Sequence, residues 1–124
     1  MSQKTILYVE DNEFNRKIVR QLLAKTTYRL TEAFDGEAGV ASALQAPPDL
    51  ILMDIQLPKI SGLEATRQLR SDARTAAVPI IVVTSFALSG DEGKAHAAGA
   101  TAYLAKPYSP RELLAKIREI VPEA

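Results

Sequence analysis

The sequence predicts an α/β protein: an open, doubly wound sheet of five parallel strands in order 2-1-3-4-5, with helices on both faces. Three observations predict it. Short apolar runs alternate strictly with amphipathic or alanine-rich stretches, giving strand then helix five times over. Two of the runs, Leu50–Met53 and Pro79–Val83, are apolar throughout, as befits strands covered on both faces. Three Ser-x-x-Glu segments, at 61–64, 89–92 and 109–112, read as capping boxes that open helices.

Each element has its own warrant. Thr5–Val9 ("TILYV") is a β-rich run and reads as the first strand. Phe14, Ile18 and Leu22 recur every four residues with Val19 and Leu23 alongside, so Glu13 to about Lys25 reads as a helix. Tyr28–Phe34 is a weaker strand. Gly36–Gln45 is a modest helix with Asp35 as its N-cap, stopped by Pro47 and Pro48. The third strand is Leu50–Met53, and Ser61 opens a helix through about Arg70. Pro79 stands first in the fourth strand, where its missing N–H is tolerated. The helix after Ser89 is rich in alanine and carries Gly90, Gly93 and Gly99, so it should be the least stable of the five. Thr101–Ala105 is the fifth strand. Ser109 caps the last helix with Pro110 at its first position, and Leu113, Leu114, Ile117, Ile120 and Val121 give it an apolar face.

Bulk properties exclude several function classes. The 124 residues suffice for one domain with a real core, and no linker or repeat suggests a second. Lys plus Arg (15) equals Asp plus Glu (15), which removes any global electrostatic case for nucleic acid or an anionic membrane. There is no cysteine, hence no disulfide and no thiolate metal site. No apolar run approaches the roughly 18 residues of a membrane span, and the N-terminus lacks a signal peptide's apolar region and cleavage site. The expectation is one cytoplasmic domain over residues 1–124.

Parallel strands all point their C-terminal ends to one edge, where ligands bind at the reversal of strand order. Glu10 and Asp11 follow the first strand, Asp54 the third, Thr84 the fourth and Lys106 the fifth. Strands 1 and 3 are neighbours across the reversal, so three carboxylates converge beside a hydroxyl and an ammonium. Crowded carboxylates repel, and a hard cation or Lys106 would relieve them. Oxygen ligands of this kind suit Mg²⁺, which keeps several waters and takes phosphate oxygens. Cation, lysine and hydroxyl are what a transferring phosphoryl group needs, and a carboxylate can be its acceptor. Asp54 is therefore the candidate nucleophile.

Each residue alone has a plainer explanation. Glu10 or Asp11 could simply favour the positive end of the first helix. Asp54 could be a turn residue, Lys106 a solvated loop lysine and Thr84 an ordinary strand-end threonine. Their joint arrangement at four strand ends is what outweighs these readings.

Taken together, "ILYVEDNEFN" (6–15), "PDLILMDIQLPKISGLE" (48–64), "PIIVVTSFA" (79–87) and "GATAYLAKP" (99–107) make the chain resemble the receiver domain of bacterial two-component response regulators, over essentially its whole length. The wording is most similar to single-domain, DivK-like members. The resemblance implies the flavodoxin/CheY-like fold, with Asp54 as phosphoacceptor. It implies Mg²⁺ held by Asp11 directly, by Glu10 through water, by Asp54 and by the backbone carbonyl of Gln56. Thr84 would bond a phosphoryl oxygen, Lys106 would pair with the phosphoryl group, and Tyr103 would be the aromatic whose rotamer follows Thr84. The Lys106–Pro107 bond would be cis. Tyr103 could also be no more than a half-buried strand tyrosine with a wet hydroxyl. The family more often has two aspartates after the first strand; here the first is Glu10, one methylene longer, which affects the metal's outer shell.

The implied cycle runs from a phosphohistidine on a sensor histidine kinase or histidine phosphotransfer protein to Asp54, followed by slow self-hydrolysis. The chain would be a phosphoacceptor rather than an enzyme. A switch through Thr84 and Tyr103 would reshape the face of helix 4, strand 5 and helix 5 for a protein target, or for a homodimer formed on phosphorylation, with no direct contact to nucleic acid or membrane. A bulky Phe86 should hinder attacking water and lengthen the life of the phosphoryl group. The expectation is a chain with no output domain after Ala124 that acts by docking to another protein; the alternative is a receiver excised from a larger hybrid kinase or relay protein. An FMN-binding flavodoxin-like protein would need a phosphate-cradling loop where this chain has "EDNEFN". A haloacid dehalogenase-type phosphatase would need a second acid where this chain has Gln56.

Overall fold

A computed structural model describes residues 3–84, 90–105 and 109–123. Along the chain the elements are β1 (Thr5–Val9), α1 (Glu13–Leu23), β2 (Arg29–Ala33), α2 (Gly36–Gln45), β3 (Leu50–Asp54), α3 (Gly62–Arg70), β4 (Ile80–Thr84), α4 (Asp91–Ala98), β5 (Ala102–Ala105) and α5 (Pro110–Ile120). The five strands form one parallel sheet in the order β2-β1-β3-β4-β5, as the alternation predicts. Among the described residues, no helix is long and apolar enough to cross a membrane.

The period-2 alternation of strand side chains divides the core in two. Ile6, Tyr8, Leu50, Leu52, Ile81 and Val83 face Val19 and Leu23 of α1 and Leu113 and Ile117 of α5. Leu7, Val9, Ile51, Met53, Ile80 and Val82 face Val40 and Ala43 of α2, Ala65 and Leu69 of α3, and Ala95 of α4. Burial on both sides is why β3 and β4 read as unbroken apolar runs: every residue of both is buried.

Several boundaries differ from the sequence expectation, each for a local reason. α1 stops at Leu23 rather than near Lys25, because the Leu23 carbonyl turns to accept from both the N–H (3.0 Å) and the hydroxyl (2.6 Å) of Thr26. Phe14 and Ile18, part of the periodicity that predicts α1, are exposed, while Arg16 is buried in that helix. β2 is trimmed to the five residues in register with β1. β3 and β4 each extend one residue further than expected, to Asp54 and Thr84, so both polar residues belong to the strands. Pro79 and Thr101 lie just outside β4 and β5; the Pro79 carbonyl still accepts from the Ile51 N–H at 2.9 Å.

The three predicted capping boxes have three outcomes. At α5 the box is complete: Ser109 accepts from the Glu112 N–H (3.1 Å) and Glu112 from the Ser109 N–H (3.0 Å). At α3 only half forms, because Glu64 turns instead to Arg67 and Gln68. At α4 the helix begins at Asp91 with Gly90 as N-cap, in the left-handed region (φ 88) and with no side-chain cap; Ser89 lies outside the described residues.

Candidate functional site

The site is built at the C-terminal edge of the sheet, where β1 and β3 lie side by side. Their register, Ile6↔Leu50 through Val9↔Met53, brings the residues just beyond Val9 level with Asp54. Glu10, Asp11 and Asp54 each offer a carboxylate oxygen, and these oxygens lie within 4.8 Å of one another. Glu10 and Asp54 are buried, Asp11 is exposed.

Buried acids this close are held under electrostatic stress. Burial pushes the Asp54 carboxyl up to about 7, helped by the nearby Glu10 charge and opposed by the Ile55 N–H, which donates to its Oδ1 at 2.8 Å. Burial also raises Glu10, against hydrogen bonding from the Asn12 backbone. A bound cation would relieve both groups. An all-oxygen set of three carboxylates at one open strand edge fits a hard divalent ion of the Mg²⁺ kind.

Glu10 is fixed from several directions. Its N–H continues the sheet by donating to Ala33 (3.0 Å). Its carbonyl accepts from Arg16 Nη1 at 2.9 Å. Its carboxylate accepts from Tyr8 Oη (3.3 Å), Asn15 Nδ2 (3.3 Å) and the Asn12 N–H (3.2 Å). Asn12 in turn caps α1 by accepting from the Asn15 N–H at 2.9 Å. Sequence reasoning missed Tyr8, Asn15 and Arg16. Tyr8 was findable, since a residue two before Glu10 shares its face of the strand; Asn15 was findable one helical turn after a capping asparagine.

The loop after Asp54 is held just as closely. The Gly62 N–H donates to the Ile55 carbonyl (2.8 Å), and a methyl group at Gly62 would overlap the Asp54 carbonyl. Gly36 at the start of α2 is pressed against Ile60 of the same loop, and its N–H donates to Pro58 (3.3 Å). Gln56 is exposed, two residues past Asp54.

The other predicted residues divide into two groups. Thr84 is buried at the end of β4, one residue beyond Val83, the partner of Asp54 across the β3–β4 ladder. Tyr103 lies in β5, packed on the α2–α3–α4 side of the core, and its buried hydroxyl has no hydrogen-bond partner among the described residues. Burial raises the Tyr103 phenol, with Asp91 and Glu92 adding to the effect. Lys106, Pro107 and Phe86 lie outside the described residues.

Comparison with known proteins agrees with this geometry. The family description "Response regulator receiver domain" matches residues 6–118. The chain is 40% identical over 121 residues to the polar-differentiation response regulator DivK of Brucella ovis, covering 98% of each. Among solved structures, it is similar to the receiver domain of a sensor histidine kinase from Pseudomonas aeruginosa PAO1, which has a magnesium ion coordinated in its active-site cleft. That likeness has a TM-score of 0.88 and 39% identity over 96% of this chain and 98% of that one. A CheY-like response regulator receiver domain protein from Methanospirillum hungatei JF-1 is similar at TM-score 0.88 and 32% identity, over 95% and 93%. An acid cluster at the β1–β3 edge of a 2-1-3-4-5 sheet, together with these likenesses, makes the chain a member of the response regulator receiver domain family.

Proposed function

We propose that residues 1–124 form one receiver domain that accepts a phosphoryl group on Asp54 from a phosphohistidine of a sensor histidine kinase or histidine phosphotransfer protein. The observation that carries this is the meeting of Glu10, Asp11 and Asp54 within 4.8 Å at the sheet edge. An Asp54 carboxylate oxygen attacks phosphorus; the P–O bond forms as the P–N bond breaks, and the electron pair returns to the imidazole nitrogen. Mg²⁺ held by Glu10, Asp11, Asp54 and the Gln56 carbonyl would neutralise charge on the phosphoryl oxygens.

The remaining roles follow from this chemistry. Lys106 pairs with the phosphoryl group and with Asp54 beforehand. Thr84, buried beside Asp54's strand, bonds a phosphoryl oxygen through its hydroxyl. Tyr103 follows Thr84, and its hydroxyl, without a hydrogen-bond partner among the described residues, supports a ring with a second position available. The face of α4, β5 and α5 then changes for a downstream protein, a local charge event biasing a two-state element. The acyl phosphate hydrolyses slowly by itself, so the domain signals without turning over a substrate. A cytoplasmic location suits a phosphohistidine donor.

The test is labelling by acetyl phosphate. The wild-type chain should gain one phosphoryl group per molecule only with Mg²⁺ present, read by intact mass, and Asp54→Asn should gain none. Labelling of Asp54→Asn, or no labelling of the wild type, would overturn the reading.

A further inference from the structure

We propose that Tyr8 and Asn15 are positioning residues for Glu10, holding its carboxylate beside Asp11 and Asp54 and so raising the site's affinity for Mg²⁺. This rests on the reading of the acid cluster as a cation site. A glutamate reaches one methylene further than an aspartate and has one more torsion to fix, so ordering it costs more conformational entropy. The structure supplies the restraint. Tyr8 Oη and Asn15 Nδ2 both donate to Glu10 Oε1, at 3.3 Å each, and the Asn12 N–H donates to Oε2 at 3.2 Å.

The two side chains come from different elements, so Glu10 is gripped from two sides. Tyr8 stands in β1, on the same strand face as Glu10, and is only 2% exposed. Its ring is fixed in the core among Val19 and Leu113, and the hydroxyl therefore points from a rigid base. Asn15 is anchored through its own N–H to the capping side chain of Asn12 at 2.9 Å. Groups outside a metal's direct ligands, such as a Glu10 that holds the ion through water and the donors that fix it, orient the site, and their loss typically weakens metal binding by about 10-fold.

Isothermal titration of the full chain with MgCl₂ tests this. Tyr8→Phe, which keeps the ring and removes the hydroxyl, and Asn15→Ala should each weaken Mg²⁺ binding by about 10-fold. Melting curves in EDTA report folding separately. Glu10→Asp keeps a carboxylate but draws it back from both donors, so adding Tyr8→Phe to Glu10→Asp should leave the affinity within about twofold. Wild-type affinity in both Tyr8→Phe and Asn15→Ala would overturn the proposal. So would an equal loss from Tyr8→Phe in the Glu10→Asp chain, which marks a merely structural effect. A wild-type chain that takes up no Mg²⁺ would overturn the cation-site reading and this proposal together.

Discussion

Gly62 and Asp54 are in backbone contact: the α carbon of one lies so close to the carbonyl of the other that no side chain fits between them. The first residue of α3 thereby sets where the strand carrying the candidate phosphoacceptor ends. The neighbouring Gly62 N–H, bonded to the Ile55 carbonyl at 2.8 Å, closes the same turn.

Gly62→Ala should therefore be costly although the new group is one methyl. The clash is with backbone, which cannot rotate aside, so a loss of about 2–3 kcal/mol is expected. Urea denaturation measures it. A loss under about 0.5 kcal/mol, the range of ordinary surface changes, would contradict the close approach.

Asp54 makes the metal-free protein sensitive to pH with a definite sign. Its folded carboxyl titrates at about 7 because of burial and Glu10, whereas an unfolded aspartate titrates at about 3.9. Between these values the folded chain binds more protons than the unfolded one. The contribution is present below about pH 4 and is lost as pH rises through about 7. In EDTA, stability should fall across that window, Asp54→Asn should flatten the fall, and Mg²⁺ at pH 7.5 should restore stability by binding the native state. Denaturation midpoints at successive pH values check all three.

Arg16 is a buried cation that ties α1 to the strand edge. It donates to the Glu10 carbonyl (2.9 Å) and to Glu13 (2.5 Å), and its guanidinium lies 4.1 Å over the Phe34 ring. Arg16→Met should keep most of the packing and lose the hydrogen bonds, destabilising by about 1–3 kcal/mol. Arg16→Lys should recover only part, since a single ammonium cannot match the planar fork. Equal stability of all three chains in thermal melts would show the network to be without weight.

Ser109→Ala and Ser61→Ala should differ in cost. Ser109 belongs to a reciprocal box and Ser61 to half of one. Both should lose roughly 1 kcal/mol for the cap, with a further loss at Ser109 as Glu112 loses its partner geometry. Paired denaturation curves decide it.

Among the helices, α4 should exchange its amide hydrogens fastest. It has eight residues, a glycine at each end in the left-handed region, and no side-chain cap. Such segments open locally at low cost. Protection in α4 matching that in α5 would be the contrary result.

Much of this was legible in the sequence because the signals are local. Apolar runs of strand length, Asp35, Ser61 and Ser109 as caps, and the edge rule for parallel strands suffice to bring Glu10, Asp11 and Asp54 together. What the letters could not convey depends on which of several partners a side chain chooses. Glu64 had a cap to complete and took Arg67 and Gln68 instead. Asp54 and Thr84 joined their strands because pairing extends until geometry stops it, not until polarity begins. Phe14 and Ile18 share a helical period with the core residues yet are exposed, while Val19 and Leu23 of the same helix are buried.

The parallel pairing of β1 with β3 has a consequence for the order in which competence arises. Glu10 and Asp11 sit near the start of the chain and Asp54 in its middle, and they are joined by a ladder whose partners, such as Ile6 and Leu50, are far apart in sequence. Local helix formation alone does not bring Asp54 to Glu10 and Asp11; the chain between β1 and β3, which carries α1, β2 and α2, must close first. Uptake of a divalent ion during refolding would thus time the arrival of this distant pairing, a clock built into the sheet that needs no added label.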